Sequence, residues 1–89
     1  MQKYRKKPVV VECMQLDRGN GPRLAELSGG RWVSLYGRGD RGEDISHVVI
    51  PTLEGDVRAE LGDWIICGTR GEWYPCKPGP FEDTFERVS

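Results

Sequence analysis

The sequence has few apolar residues, no long apolar run and no excess of charge of either sign. Hydrophobic residues make up 37% of the 89 residues, and the mean hydropathy is -0.56. Such a chain supports one domain, residues 1–89, with a small core and no deep two-layer cleft. Because no run is long enough for a transmembrane helix, no membrane partner is expected. The 13 basic and 14 acidic residues nearly cancel, so binding to nucleic acid is not expected either.

Cysteine and histidine are scarce, which limits metal and nucleophile chemistry. The cysteines Cys13, Cys67 and Cys76 lack C-x-x-C spacing and are predicted to be buried, reduced thiols. His47 is the one histidine, and its strand-like surroundings favour a structural role over catalysis with a cysteine. A zinc site would need these four positions to converge without close ligand pairs, so no metal or cofactor is expected. The apolar run that follows the basic start covers only residues 9–11, which is too short for a signal peptide. The protein is therefore expected to stay in the cytoplasm.

Residues 62–75 are predicted to form a hairpin around which the rest of the fold is organised. Residues 64–67 are aromatic, β-branched or sulfur-containing, which favours a half-buried strand. Gly68 and Gly71 bracket a turn, and Trp73 begins the returning strand. Pro75 is expected to end the regular pairing because it has no N–H to donate.

The rest of the chain reads as short strands separated by turns. The predicted elements are strands at 9–16, 31–36, 45–50 and 57–61, a helix at 22–28 capped by Asn20, and a mobile loop at 37–44. Three prolines make residues 75–80 a stiff, extended stretch, followed by a helical turn at 81–83 and a last strand at 84–88. The predicted class is mostly β (α+β), a small antiparallel sheet or partly open barrel with one short helix.

Residues 37–42 match the G-x-G-x-x-G pattern of dinucleotide-binding loops. That function also needs a helix beginning at the last glycine, so that its N-terminus meets a pyrophosphate. Here a β-branched run follows, and the chain is too short for two βαβ halves. A plain surface loop is therefore favoured.

Three carboxylates accompany the hairpin, namely Glu60, Asp63 and Glu72. Carboxylates at turns usually accept hydrogen bonds from the turn's own N–H groups. An acid–base pair would require a suitable distance between two of them, which the sequence does not give. A small hydrolase or nuclease that uses Asp63, Glu72 or His47 is the least favoured of three functional hypotheses.

Basic and aromatic residues also gather along the hairpin and its neighbours. Cationic side chains over aromatic faces hold bases and phosphates, but they also cover aromatic edges on ordinary sheets. The hypothetical ligand-binding residues are Arg58, Arg70, Lys77, Trp64, Trp73 and Tyr74.

Several blocks resemble a family of small proteins encoded by bacteriophages and prophages. They are M-Q-K-Y-R-K-K-P-V-V-V-E at 1–12, T-L-E-G-D at 52–56, G-D-W-I-I at 62–66, G-E-W-Y-P-C-K-P at 71–78, and Phe81 with T-F-E at 84–86. The match covers both ends and the second half, whereas residues 13–50 fit loosely, and Leu61 stands where relatives commonly have proline. The resemblance implies a phage or prophage product that acts in the bacterial cytoplasm. It implies no activity and no catalytic residue.

Two further hypotheses about function therefore rank above catalysis. The first is a non-enzymatic accessory protein that binds a host component, for which an exposed apolar patch is expected. The alternative is a pocket that binds or sequesters a nucleotide-like small molecule, such as a host defence signal. The sequence leaves open whether the protein forms a homo-oligomer.

Overall fold

The computed structural model describes residues 1–5 and 8–88, and within that part the chain forms six strands and two helices. In chain order they are β1 (Glu12–Gln15), α1 (Gly21–Ser28), β2 (Arg31–Val33), β3 (His47–Thr52), β4 (Gly55–Glu60), β5 (Trp64–Cys67), β6 (Trp73–Cys76) and α2 (Pro78–Thr84). Neither described helix has the length and apolar character needed to cross a membrane. The predicted mostly-β, α+β class is confirmed, although there are two helices where one was expected.

The strands form two antiparallel sheets of three strands each. β1-β5-β6 is called here the terminal sheet, and β2-β3-β4 the central sheet. The described strands do not close into a barrel. The corner between the sheets is fixed by backbone hydrogen bonds, because Leu16 N–H donates to the Asp63 carbonyl (2.8 Å) and Gly62 N–H donates to the Leu16 carbonyl (2.9 Å).

One core joins α1 to the inner faces of both sheets. Its buried members are Leu16, Leu24, Ala25, Val48, Ile50, Ala59 and Ile65, with Trp32, Val57, Leu61 and Trp73 packed against them. Removing each large side chain from water stabilises the fold by about 1.5–3 kcal/mol. The core is therefore the main source of stability in a chain with so few apolar residues.

α1 begins and ends close to its predicted limits. Pro22 lies in the first turn, and Gly29 ends the helix in a left-handed conformation (φ 74°) that glycine adopts without a steric penalty. Asn20 occupies the predicted N-cap position, but its side chain does not make the expected capping hydrogen bond. It instead accepts from Asp17 N–H (2.8 Å) and donates to the Gln15 carbonyl (2.8 Å), bracing the turn before the helix.

Several strands are shorter than predicted because their partners are short. β1 begins at Glu12 instead of residue 9, since β5 offers only four pairing residues. β2 stops at Val33 instead of residue 36, where its pairing with β3 ends at His47. The 37–44 segment is confirmed as a loop without helix or strand.

Prolines lie inside two strands, although Pro75 is predicted to end the regular pairing and the strand before Pro51 is predicted to end at residue 50. Pro75 pairs with Ile65 in the middle of β6, and Pro51 pairs with Asp56 in β3. β6 is an edge strand, and β2 pairs with β3 only at residues 47–49, so neither proline faces a second strand that needs its N–H.

The C-terminal prediction is wrong in two respects. Pro78 and Pro80 belong to α2 rather than to an extended stretch, and no strand follows in residues 85–88. Proline is well tolerated in the first turn of a helix, where its N–H would have no partner. Phe81 then stacks on Trp64 with ring centroids 4.2 Å apart, which holds α2 on the outer face of the terminal sheet.

Candidate functional site

The hairpin register separates the aromatic residues of the predicted ligand site. β5 and β6 pair Ile66 with Tyr74 and Cys67 with Trp73. Opposite residues share a face of a sheet and successive residues alternate, so Trp73 lies on one face, whereas Tyr74 and Trp64 lie on the other. Trp73 packs against the core, and Trp64 is covered by Phe81.

Of the three basic residues of that hypothesis, Arg58 and Lys77 lie close enough for their charges to interact, because the charge of Arg58 opposes the rise in the pKa of Lys77. Lys77 contacts Asp63 (Nζ–Oδ1 3.0 Å), Arg58 donates to the Ile45 carbonyl (3.4 Å), and Arg70 is exposed in the hairpin turn. The hydrogen bond to Asp63 is the main cause that raises the pKa of Lys77 above 10.5. The six residues therefore do not line one common pocket, and their role in ligand binding stays a prediction.

Asp63 serves the corner between the two sheets. Its side chain is buried, accepts from Glu60 N–H (2.8 Å) and is held by Lys77. It precedes β5, whereas Glu72 precedes the antiparallel β6, so these two carboxylates lie at opposite ends of the hairpin. They consequently do not form the paired site that acid–base catalysis would use.

His47 and the cysteines take structural or surface positions. His47 is buried, and its Nδ1 lies 3.1 Å from the Ile45 carbonyl. The prediction of buried thiols is wrong for Cys13, which is exposed, while Cys67 and Cys76 are half-buried. Residues 1–5 and 8–88 contain no group of three or more His, Cys, Asp or Glu side chains that could hold a metal ion.

Residues 37–42, which match G-x-G-x-x-G, donate backbone N–H hydrogen bonds to acceptors within the same loop. Gly39 N–H donates to the Glu43 carbonyl (3.0 Å), and Arg41 N–H donates to the Glu43 carboxylate (2.9 Å). The next element is β3 and not a helix. Nearby, Ser46 donates to Asp44 through its hydroxyl and its backbone N–H, which lowers the pKa of Asp44. These contacts lie within residues 39–46, and no helix begins at the last glycine to place its N-terminus against a pyrophosphate.

Two open grooves lie beside Trp73, and sequence reasoning missed both. The first, about 200 Å³, lies between α1 and the terminal sheet; it is lined by Glu12, Cys13, Met14, Leu24, Leu27, Ile65, Cys67 and Trp73. The second, about 330 Å³, lies near the turns of the β3–β4 and β5–β6 hairpins. It is lined by Ser28, Pro51, Thr52, Leu53, Gly71, Glu72 and Trp73. Together these residues are called here the Trp73 surface.

Each groove is lined in part by an exposed leucine side chain. Leu27 is 47% exposed at the first groove, and Leu53 is fully exposed at the second. Among residues 1–5 and 8–88, each lining contains a single charged residue, which is Glu12 in the first groove and Glu72 in the second. The Trp73 surface is thus apolar with an acidic group in each groove, as suits an apolar segment that carries positive charge.

The hydrophobic pattern contained only a partial signal for this surface. Leu24 and Leu27 mark one apolar stripe on α1, but Leu24 is buried in the core while Leu27 is left at the groove. No protein-family model, curated protein or solved structure matches this chain.

Proposed function

We propose that the chain is a non-enzymatic phage or prophage accessory protein that binds a host protein in the bacterial cytoplasm through the Trp73 surface. The resemblance of its sequence blocks supports the origin and the location. The observation that carries the binding role is the pair of grooves on either side of Trp73, each with an exposed leucine. Exposed apolar area of this kind on a small domain is typical of a protein-binding surface.

The chemistry of the grooves defines the partner segment. Two apolar side chains of the partner, one in each groove, would flank the half-buried Trp73. Aromatic residues in partly desolvated positions often contribute most of the energy of an interface. Glu12 and Glu72 favour lysine or arginine next to those apolar anchors, because opposite charges across an interface speed association and suppress wrong partners.

A comparison of bait proteins tests the proposal. Wild-type protein, Leu27→Asp, Leu53→Asp and the control Val88→Asp are immobilised and exposed to a bacterial lysate. Val88 is an exposed apolar residue that lines neither groove. We expect a protein that is retained by the wild type and the control and is lost from both groove variants.

Direct titration with that purified partner tests the charge argument. Glu12→Lys and Glu72→Lys should each weaken binding, and the effect should shrink at high salt because screening removes the repulsion. In the lysate experiment, the proposed surface is contradicted if the retained protein binds all four baits equally. It is also contradicted if no lysate protein binds the wild type.

A further inference from the structure

Among the edge strands that the structure describes, β1 has the weakest of the features by which edges are usually protected. Natural sheets protect their edges with proline, charged side chains or very short strands. β6 contains Pro75, β2 has only three residues, and β4 has a charged side chain at every second position. β1 has Glu12 as its one charge and follows the exposed apolar run at residues 9–10. Among the residues that the structure describes, no strand pairs with its outer edge.

The direction of the unpaired backbone groups follows from the register. Leu16 directs its N–H and its carbonyl toward the corner at residues 62–63, on the side of β5. Backbone groups alternate between the two sides of an antiparallel strand, so Glu12 and Met14 also face β5. Cys13 and Gln15 therefore face the open edge, and the same alternation places Val11 there.

We propose that β1 pairs antiparallel with β1 of a second copy of this chain, about a two-fold axis that passes through Cys13. The two terminal sheets would then form one continuous six-stranded sheet, joined by about six backbone hydrogen bonds. This pairing rests on the open edge alone and does not depend on the proposed host partner.

Side-chain charges and backbone hydrogen bonds favour an axis through Cys13 over axes through Glu12 or Met14. An axis through Glu12 would set the two glutamates directly opposite each other, which is destabilising. An axis through Met14 would pair Val11 with Asp17, whose N–H already donates to the Asn20 side chain (2.8 Å). The axis through Cys13 places Glu12 opposite Met14 and keeps every hydrogen-bonded pair within residues 11–15. The Gln15 carbonyl already accepts from the Asn20 side chain (2.8 Å), but a carbonyl oxygen has a second lone pair that can accept from the partner strand. Met14, now 48% exposed, would thereby gain a cross-strand neighbour.

Sedimentation and site-specific disulfide formation test the proposed pairing of β1 with β1 of a second copy. The full chain should sediment at twice its mass of 10.1 kDa in the micromolar range. With Cys67 and Cys76 replaced by alanine, diamide should link the two Cys13 thiols, taking up their two hydrogens as the S–S bond forms. Directly opposed residues of a hydrogen-bonded pair have Cα atoms about 5.5 Å apart, within the range that a disulfide spans.

Matched cysteine variants distinguish this register from random collision. In a chain whose three native cysteines are alanine, Glu12→Cys and Met14→Cys should each fail to link to themselves but should link to each other when mixed. Cys13→Lys should sediment as a single chain and keep the wild-type circular dichroism, since Cys13 is exposed. A single-chain mass for the wild type, equal linking of Met14→Cys to itself, or a Cys13→Lys dimer would each overturn the proposal.

Discussion

Replacing Lys77 by methionine should destabilise the fold more than replacing its buried partner, although Lys77 is the more exposed of the two. The Lys77 side chain is 59% exposed, whereas that of Asp63 is 4% exposed. Loss of the ammonium group leaves a buried carboxylate with one remaining hydrogen bond, from Glu60 N–H. Breaking a fully buried ion pair costs about 3–5 kcal/mol, and access of solvent to Lys77 reduces this to about 2–3 kcal/mol.

The reciprocal variant should cost less. Asp63→Asn keeps an oxygen for Glu60 N–H and leaves Lys77 in solvent, so we expect a loss of about 1 kcal/mol. The double variant should be about as stable as Asp63→Asn alone, because the buried charge is gone. Thermal unfolding at neutral pH should show Lys77→Met about 10–20 °C below the wild type. The reasoning is refuted if Lys77→Met is as stable as Asp63→Asn or more stable.

The pH dependence gives an independent check on the same pair. Since the pKa of Lys77 is raised in the folded protein, its stabilising effect is complete below the ordinary value of 10.5 and is lost as pH rises through the folded value. The difference in stability between the wild type and Lys77→Met should therefore shrink as the pH is raised above 10.5. A difference that stays constant over that range would show that methionine acts through packing and not through charge.

Three other outcomes are expected. Phe81→Ala should cost about 3–5 kcal/mol by denaturant unfolding, because it removes the buried ring that holds α2 on Trp64; loss of helix without loss of stability would contradict this. At protein concentrations low enough to leave single chains, a thiol reagent should label Cys13 first in the native protein, and Cys13→Ala should remove the fast phase; equal rates for all three thiols would contradict the observed exposures. If a nucleotide does bind, saturation at a hundred times its dissociation constant should add about 2.7 kcal/mol of stability, and Arg70→Ala should abolish that thermal shift; no shift with mono-, di- or cyclic nucleotides would remove this hypothesis.

Local patterns predicted the elements whose signals lie within a few residues. The β5–β6 hairpin was predicted because Gly68, Gly71 and the flanking aromatic residues act at short range. The same local reasoning failed for the prolines, because the effect of Pro75 depends on whether a further strand lies beside β6. It failed again for α2, whose position depends on a stack between Trp64 and Phe81, distant in sequence.

The candidate site could be predicted only in part for a related reason. Trp73 was singled out from its position in the hairpin, but its face follows from a register that strand composition alone does not give. The grooves arise where α1 meets the terminal sheet and where two hairpin tips approach each other. Such concave shapes depend on the packing of whole elements, which no local pattern reports.

The bonded corner at Leu16 has a consequence for the order of folding. Residues 17–61 leave the terminal sheet after β1, form α1 and the central sheet, and return within hydrogen-bond distance of their departure point. The helix and the meander β2-β3-β4 use neighbouring segments, so they can assemble without waiting for the chain ends. Pairing of β1 with β5 must close a loop of about 45 residues, which costs about 3 kcal/mol of chain entropy. We therefore expect the terminal sheet to be completed last, and mutations in β1 to accelerate unfolding while leaving the refolding rate nearly unchanged.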